Sequence, residues 1–220
     1  MSGEPKSSLV APRALLFDWD NTLVNTWGVI TTSYNAALAH FGMPAWSEDD
    51  TRARAHNSLR DTFPRLFGDR WQEARSVFFQ TFDAVHLERL RTQPGAEALL
   101  AALSKRGLYL AVVSNKTGAA LRKEVTYLGW DRYFGRVVGA TDAIRDKPAP
   151  DPVQLALEAA PFGAGEHVWF VGDTRVDLEC AHKSGCLPVL MRDTGPQLDE
   201  FASFPPRVHV ANCYALLALI

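Results

Sequence analysis

Two aspartates lie at the end of the first strongly apolar stretch of the chain, the segment LLFDWDNT at residues 15–22. If this stretch is a buried strand, its side chains alternate between faces, so Asp18 and Asp20 project to the same side. Two carboxylates this close repel each other unless a cation lies between them or one of them is protonated. Either condition suits catalysis, whereas the structural alternative is a polar strand end that enters an Asx turn.

Other polar residues follow later apolar stretches in the same manner. Ser114 and Asn115 end the stretch YLAVVSN, and Asp173 and Asp177 lie at and just after the end of HVWFVGD. Lys147 precedes a proline, which disfavours helical backbone at the lysine. The lysine is therefore expected to have an extended backbone and to place its positive charge near the acidic groups. Each feature alone could be a helix cap, a turn or a surface lysine. Their combination in one chain favours a single catalytic site.

The composition is that of an ordinary globular protein, with 47% apolar residues, 22% charged residues and a formal net charge of −2. This balance shows no excess of basic residues, so we expect neither nucleic acid nor a membrane as a partner.

Residues 1–13 are polar and are predicted to form a disordered tail without a signal peptide. Three cysteines without metal-ligand spacing indicate free thiols and a cytoplasmic location. The sequence does not indicate an oligomeric state.

From residue 92 onward, apolar strands alternate with helical segments. This pattern predicts an α/β fold, a Rossmann-like parallel sheet with helices on both faces. Ligands of such sheets bind beyond the carboxyl ends of the strands, where the polar residues described above lie. Residues 24–91 have helical spacing and no convincing strand. We therefore predict a core domain formed by residues 14–23 and 92–220, with a small helical domain inserted at residues 24–91.

Four segments of the chain resemble the four motifs of the haloacid dehalogenase (HAD) superfamily. They are DWDNT at 18–22, Ser114 with Asn115, Lys147 with its proline, and GDTRVD at 172–177. The inserted helical block resembles the small cap of the subgroup that contains phosphoglycolate phosphatase, β-phosphoglucomutase and phosphonoacetaldehyde hydrolase. The chain departs from the usual motif at Asn21, where glycine is common, and at Trp19, where a small or aliphatic residue is usual. Asparagine tolerates left-handed backbone angles, so the turn can be kept.

The resemblance implies a catalytic role for each matching residue. Asp18 would be the nucleophile that forms an aspartyl-phosphate, and Asp20 would be the general acid and base, with its pKa raised by neighbouring anions. Lys147 would neutralise charge on the nucleophile and on the phosphoryl group. Ser114 and Asn115 would donate hydrogen bonds to the phosphoryl oxygens.

The resemblance also implies Mg²⁺ as the cofactor. The Asp18 carboxylate, the backbone carbonyl of Asp20 and Asp173 would hold the ion, and Asp177 would orient these ligands or bind through water. Within the helical block, the segment HNSLRDTF at 56–63 resembles a cap loop that closes over the substrate, with Asn57 and Arg60 as specificity residues. Arg60 would pair with a substrate carboxylate; the alternative is that it belongs to a solvated helix face.

These features predict a magnesium-dependent phosphatase of a small phosphorylated metabolite, with phosphoglycolate as the favoured substrate. Asp20 and Asp173 argue against a dehalogenase, which needs neither a proton donor for an alkoxide nor a metal. Residues 23–92 contain no lysine, which argues against phosphonoacetaldehyde hydrolase with its Schiff-base lysine. The alternative is a β-phosphoglucomutase-like sugar phosphomutase, since the cap offers arginines. A non-catalytic relative that binds a phosphorylated ligand or a protein is less favoured.

Overall fold

The computed structural model describes residues 9–54 and 59–220, with the side chains of residues 59–61 excluded. The chain separates into two compact units. One comprises the chain up to Leu23 together with Gln93–Ile220, and the other is Val24–Thr92. Their assignment as catalytic core and cap stays a prediction. Within the described ranges, every helix is too short or too polar to cross a membrane.

The strands, in chain order, are β1 (Ala14–Phe17), β2 (Val24–Asn25), β3 (Arg91–Thr92), β4 (Tyr109–Thr117), β5 (Arg136–Ala140), β6 (Val168–Gly172), β7 (Leu187–Met191) and β8 (Val208–Val210). The helices are α1 (Trp27–His40), α2 (Glu48–Arg54), α3 (Leu59–Phe67), α4 (Trp71–Val85), α5 (Ala96–Lys105), α6 (Gly118–Tyr127), α7 (Asp151–Leu157), α8 (Arg175–Ser184) and α9 (Cys213–Leu219).

The larger unit contains a six-stranded parallel sheet with the strand order β5-β4-β1-β6-β7-β8. Every residue of β1 is buried, and Phe17 at its end pairs with Val112 of β4 and Val171 of β6. Helices pack against both faces of the sheet, so the predicted Rossmann-like α/β fold is confirmed. Because the chain leaves β1 toward β4 and later returns to its other side as β6, the carboxyl ends of these three strands meet at a topological switch point.

The predicted tail is too long at its C-terminal end. The indole N–H of Trp169 donates a hydrogen bond to the Val10 carbonyl at 3.1 Å, and the Arg13 N–H donates to the His167 carbonyl at 2.8 Å. These contacts join the segment before β1 to the sheet. Residues 1–8 lie outside the described part of the chain.

The smaller unit is built from α1, α2, α3 and α4 around an aromatic core. The buried rings are those of Tyr34, Phe63, Phe67 and Phe78. The prediction that this block contains no strand is wrong at its two ends, because β2 and β3 form a short antiparallel ribbon. Two residues per strand are too few to produce a detectable period of two in the sequence.

Candidate active site

The first residue beyond β1 and the first beyond β6 are both aspartates, Asp18 and Asp173. The sheet places them side by side, and the Asp18 N–H donates to the Val171 carbonyl at 2.9 Å, which continues the β1–β6 ladder. Asp177 lies in the first turn of α8, which begins just after β6. Carboxylate oxygens of the three aspartates all lie within 4.8 Å of one another.

Lys147 is the counter-ion of this acidic cluster. Its ammonium Nζ lies 2.6 Å from Oδ1 of Asp18 and 2.6 Å from Oδ1 of Asp177, and only 3% of its side chain is exposed. The three residues are far apart in sequence and come from three different segments of the chain. The structure therefore brings together the predicted nucleophile, the predicted charge-neutralising lysine and a predicted metal-orienting aspartate.

Hydroxyl and backbone donors fix the two later aspartates. The N–H and the hydroxyl of Thr174 donate to Oδ2 of Asp177 at 3.0 and 2.6 Å in a capping box at the start of α8. The hydroxyl of Thr22 donates to Asp173 at 3.1 Å. A side chain at Gly172 would lie 2.3 Å from Cβ of Asp177, so the close approach of Asp177 requires glycine at this position.

Burial and mutual repulsion disfavour the ionised form of these carboxyl groups. Burial raises the pKa of Asp18 to about 7; the Lys147 ammonium opposes this shift, and Asp177 and Asp20 add to it. Burial, with repulsion from Asp177 and Asp18, raises the pKa of Asp173 well above its usual range. Burial alone would lower the pKa of Lys147, but the carboxylates of Asp177 and Asp18 outweigh it and raise that pKa.

The donor set fits a hard divalent cation such as Mg²⁺. Three carboxylates and one ammonium leave a formal charge of −2 when all four groups are ionised. Carboxylate oxygen is the ligand that Mg²⁺ prefers, and a divalent ion would neutralise this charge. Asp18 and Asp173 would hold it, with Asp177 beside them.

Mg²⁺ is therefore expected to stabilise the fold. With free Mg²⁺ at 100 times its dissociation constant, linkage predicts about 2.7 kcal/mol, or a Tm increase of roughly 5–10 °C for a chain of this length. Asp173→Asn should remove most of this increase, whereas the exposed Asp83→Asn should keep it. Thermal unfolding at constant ionic strength, with and without Mg²⁺, measures both. An undiminished Mg²⁺ response in Asp173→Asn would contradict the assignment of Asp173 as a ligand.

Ser114 and Asn115 lie near the end of β4, next to the aspartate cluster. Ser114 is buried, and its hydroxyl accepts a hydrogen bond from the Lys116 N–H at 3.2 Å. The Asn115 amide donates to the Lys147 carbonyl at 2.9 Å and accepts from the Lys147 N–H at 3.0 Å. The predicted contacts of both residues with phosphoryl oxygens stay predictions. Asn115 has a further role that the sequence did not indicate, because its side chain holds the backbone of Lys147.

Asp20 has a cationic partner that the sequence does not indicate. Its carboxylate accepts a hydrogen bond from the Lys116 ammonium at 2.7 Å, while the expected neighbouring anion, Asp18, interacts with it electrostatically. Lys116 also donates to Glu124, which accepts a second hydrogen bond from the Trp19 indole. Only the position of Lys116 directly after Ser114 and Asn115 could have drawn attention to it. Glu124 lies in α6, and no spacing in the sequence links it to Asp20.

The remaining predicted residues have separate outcomes. Asn21 has φ 61°, so the expected left-handed turn after Asp20 is confirmed. Asn57 lies outside the described residues, and Arg60 lies in α3 but its side chain is not described. Their role in specificity stays a prediction.

Comparison with known proteins gives consistent matches along most of the chain. The model of the haloacid dehalogenase-like hydrolase family matches residues 15–190. A phosphoglycolate phosphatase of Pectobacterium atrosepticum is 30% identical over 197 residues, which cover 84% of this chain and 82% of the relative. A pyrophosphatase of Bacillus mycoides is 27% identical over 171 residues, 78% of this chain and 79% of that protein. A solved haloacid dehalogenase-like family protein from Streptococcus pneumoniae has a TM-score of 0.81 at 20% identity, covering 93% of this chain and 96% of its own.

The family match includes the aspartates, the lysine and the serine of the site. The chain therefore belongs to the haloacid dehalogenase-like hydrolase family, and the family predicted from the four motifs is confirmed.

Proposed function

We propose that this chain is a magnesium-dependent phosphatase that hydrolyses a small phosphomonoester through an aspartyl-phosphate at Asp18. The observation that carries the proposal is the buried contact of Lys147 with Asp18 and Asp177 beside Asp173. It combines a nucleophile, a fixed positive charge and a cation site in one place. The phosphatase relatives support the enzyme class, a phosphoric monoester hydrolase.

The first chemical step is carried out by Asp18 and Asp20. A carboxylate oxygen of Asp18 attacks phosphorus, the bond between phosphorus and the substrate oxygen breaks, and the Asp20 carboxyl gives its proton to that oxygen. The product alcohol leaves, and Asp18 carries the phosphoryl group. Lys147 stabilises the negative charge that is transferred with it, because its ammonium is already fixed at hydrogen-bond distance from Asp18.

In the second step Asp20 takes a proton from water, whose oxygen attacks the phosphorus of the aspartyl-phosphate. The bond to Asp18 breaks, inorganic phosphate leaves and the enzyme returns to its starting state. Bound Mg²⁺ would supply further positive charge to the phosphoryl oxygens. Ser114 would donate a hydrogen bond to the same group.

Phosphoglycolate is the substrate that we propose, since relatives of this chain carry that activity in their names. We further propose that the helical unit selects the substrate through the segment that contains Asn57 and Arg60. A cytoplasmic location, predicted from the cysteines, is retained as part of this proposal.

The alternative function is a sugar phosphomutase, which would use cationic groups of the helical unit. Arg52 and Arg54 form surface ion pairs with Glu48 and Asp50 within α2. Exposed pairs of this kind contribute little, so they leave both arginines able to bind an anionic substrate.

Phosphate release from a panel of substrates tests the proposal. The panel holds phosphoglycolate, sugar phosphates, nucleotides, pyrophosphate and p-nitrophenyl phosphate, each with Mg²⁺ and with a chelator. We expect Mg²⁺-dependent release that is fastest with phosphoglycolate. Release that is unaffected by the chelator would contradict the magnesium dependence. No release from any member by the folded protein would contradict the phosphatase function, and conversion of glucose 1-phosphate to its isomer would then support the mutase.

A further inference from the structure

A second charged cluster lies behind Asp20 and is separate from the Lys147 site. The Lys116 ammonium lies 2.7 Å from Oδ1 of Asp20 and 2.6 Å from Oε2 of Glu124. The indole N–H of Trp19 donates to the same Glu124 oxygen at 2.6 Å. Only 6% of the Lys116 side chain and 1% of the Glu124 side chain are exposed. We call Trp19, Glu124 and Lys116 the relay behind Asp20.

The relay is anchored on three elements of the larger unit. Lys116 lies at the end of β4, Glu124 lies in α6, and Trp19 lies in the loop after β1. The Trp19 ring packs edge to face against Trp130, with 5.7 Å between the ring centroids. A buried carboxylate such as Glu124 is costly unless it is paired and hydrogen-bonded, and here the lysine and the indole both donate to it. The ammonium is therefore held in place by groups that do not belong to the aspartate cluster.

The side chain of Asp20 is less enclosed by the protein than that of its partner, Lys116. Its side chain is 29% exposed, whereas that of Lys116 is 6% exposed. A partly exposed aspartate can adopt several staggered rotamers, which direct its carboxyl to different places. Proton transfer to a leaving oxygen requires the acid at hydrogen-bond distance, so a fixed partner for the side chain has direct catalytic value.

We propose that Lys116 is a positioning residue with Glu124 and Trp19 holding it in place: it binds Oδ1 of Asp20 and so fixes Oδ2, which carries the proton that is transferred to the leaving oxygen. This inference rests on the proposed phosphatase function and extends it to Trp19 within the first motif and to Lys116 and Glu124, which lie outside the four motifs. Lys116 acts through Asp20. The relay holds the Asp20 carboxyl at a fixed position relative to Asp18, the proposed nucleophile two residues earlier in the chain.

Leaving-group dependence separates this role from a general effect on the fold. An alkyl phosphate such as phosphoglycolate releases a basic alkoxide that needs a proton, whereas p-nitrophenyl phosphate releases a stable phenolate that does not. General acid catalysis contributes about 10²–10⁴-fold where the proton is needed. Misplacing Asp20 should therefore lower kcat/KM for the alkyl ester far more than for the aryl ester. The constant kcat/KM is the correct one to compare, because it excludes the later hydrolysis of the aspartyl-phosphate that both substrates share.

The experiment compares wild type with Lys116→Met, and with Lys123→Met as a control from the exposed face of α6. For Lys116→Met we expect kcat/KM to fall about 10–100-fold with the alkyl ester and less than about 3-fold with p-nitrophenyl phosphate. The control should change neither value. If Lys116→Met does not fold, Trp19→Phe tests the same relay, because it keeps an aromatic ring against Trp130 and removes the N–H that holds Glu124.

Equal losses with both substrates, or no loss with either, would overturn the positioning role. These results are distinguishable from failure of the proposed function. A wild-type protein without activity on any member of the substrate panel would refute the phosphatase proposal, whereas an active wild type with equal losses in the variants would refute only this inference.

Discussion

Asp18→Asn is expected to lower phosphate release by at least about 10³-fold, because an amide cannot attack phosphorus in place of the carboxylate. The variant should still fold. Burial raises the pKa of Asp18 to about 7, so the folded protein disfavours the ionised carboxyl, and a neutral amide of the same shape removes that cost. Lys147 keeps its contact with Asp177.

The measurement is Mg²⁺-dependent release of phosphate from the best substrate of the panel, with Tm recorded for each protein. Asp83→Asn, an exposed aspartate to asparagine change in α4, controls for the substitution itself and should retain full activity. Activity of Asp18→Asn within 10-fold of wild type would show that another group is the nucleophile.

Lys147→Met is expected to produce the largest loss of stability among these substitutions. Removing one partner of a buried ion pair costs about 3–5 kcal/mol, because the remaining charges lose their counter-ion. Here two buried carboxylates, those of Asp18 and Asp177, lose the same ammonium. For a chain of this length the loss corresponds to a Tm decrease of roughly 6–20 °C in the absence of Mg²⁺. Turnover should also fall by about 10²–10³-fold, because a fixed positive charge is missing from the phosphoryl site.

Mg²⁺ gives this prediction a second readout. The site in Lys147→Met carries one more unit of uncompensated negative charge, so Mg²⁺ should raise its Tm by more than it raises that of wild type. Lys183→Met is the matched control, since the exposed Lys183 forms a pair with the half-buried Glu179 four residues earlier in the same helix, and its loss should change the stability by about 0.5 kcal/mol or less. An unchanged Tm in Lys147→Met, or a smaller Mg²⁺ response than in wild type, would contradict the counter-ion role.

The sequence predicted the parallel sheet because buried strands and helices each leave a clear pattern. The apolar stretch RVVGA at 136–140 forms β5, and α7 begins at Asp151, where an aspartate followed by a proline is a favourable helix start. The sequence also predicted that Asp18, Ser114 and Asp173 lie close together, because the carboxyl ends of neighbouring parallel strands meet at one edge of the sheet.

The sequence did not predict the polar contacts that support the site. Trp19 and Glu124 are 105 residues apart, and Asn115 and Lys147 are 32 apart. Such pairs depend on the exact placement of side chains from different elements, which neither periodicity nor spacing records. For the same reason, the sequence gives no sign that Lys116 contacts Asp20, although Lys116 directly follows two predicted site residues.

The hydrogen bonds between Asn115 and Lys147 have a consequence for the length of the loop that precedes Lys147. Both backbone groups of Lys147 bind the Asn115 amide, and its ammonium binds Asp18 and Asp177, so partners outside its own loop fix its position. The loop before it is exposed around Ile144. We therefore expect that insertions or deletions at that point change the length of the loop without moving the lysine that we propose as catalytic.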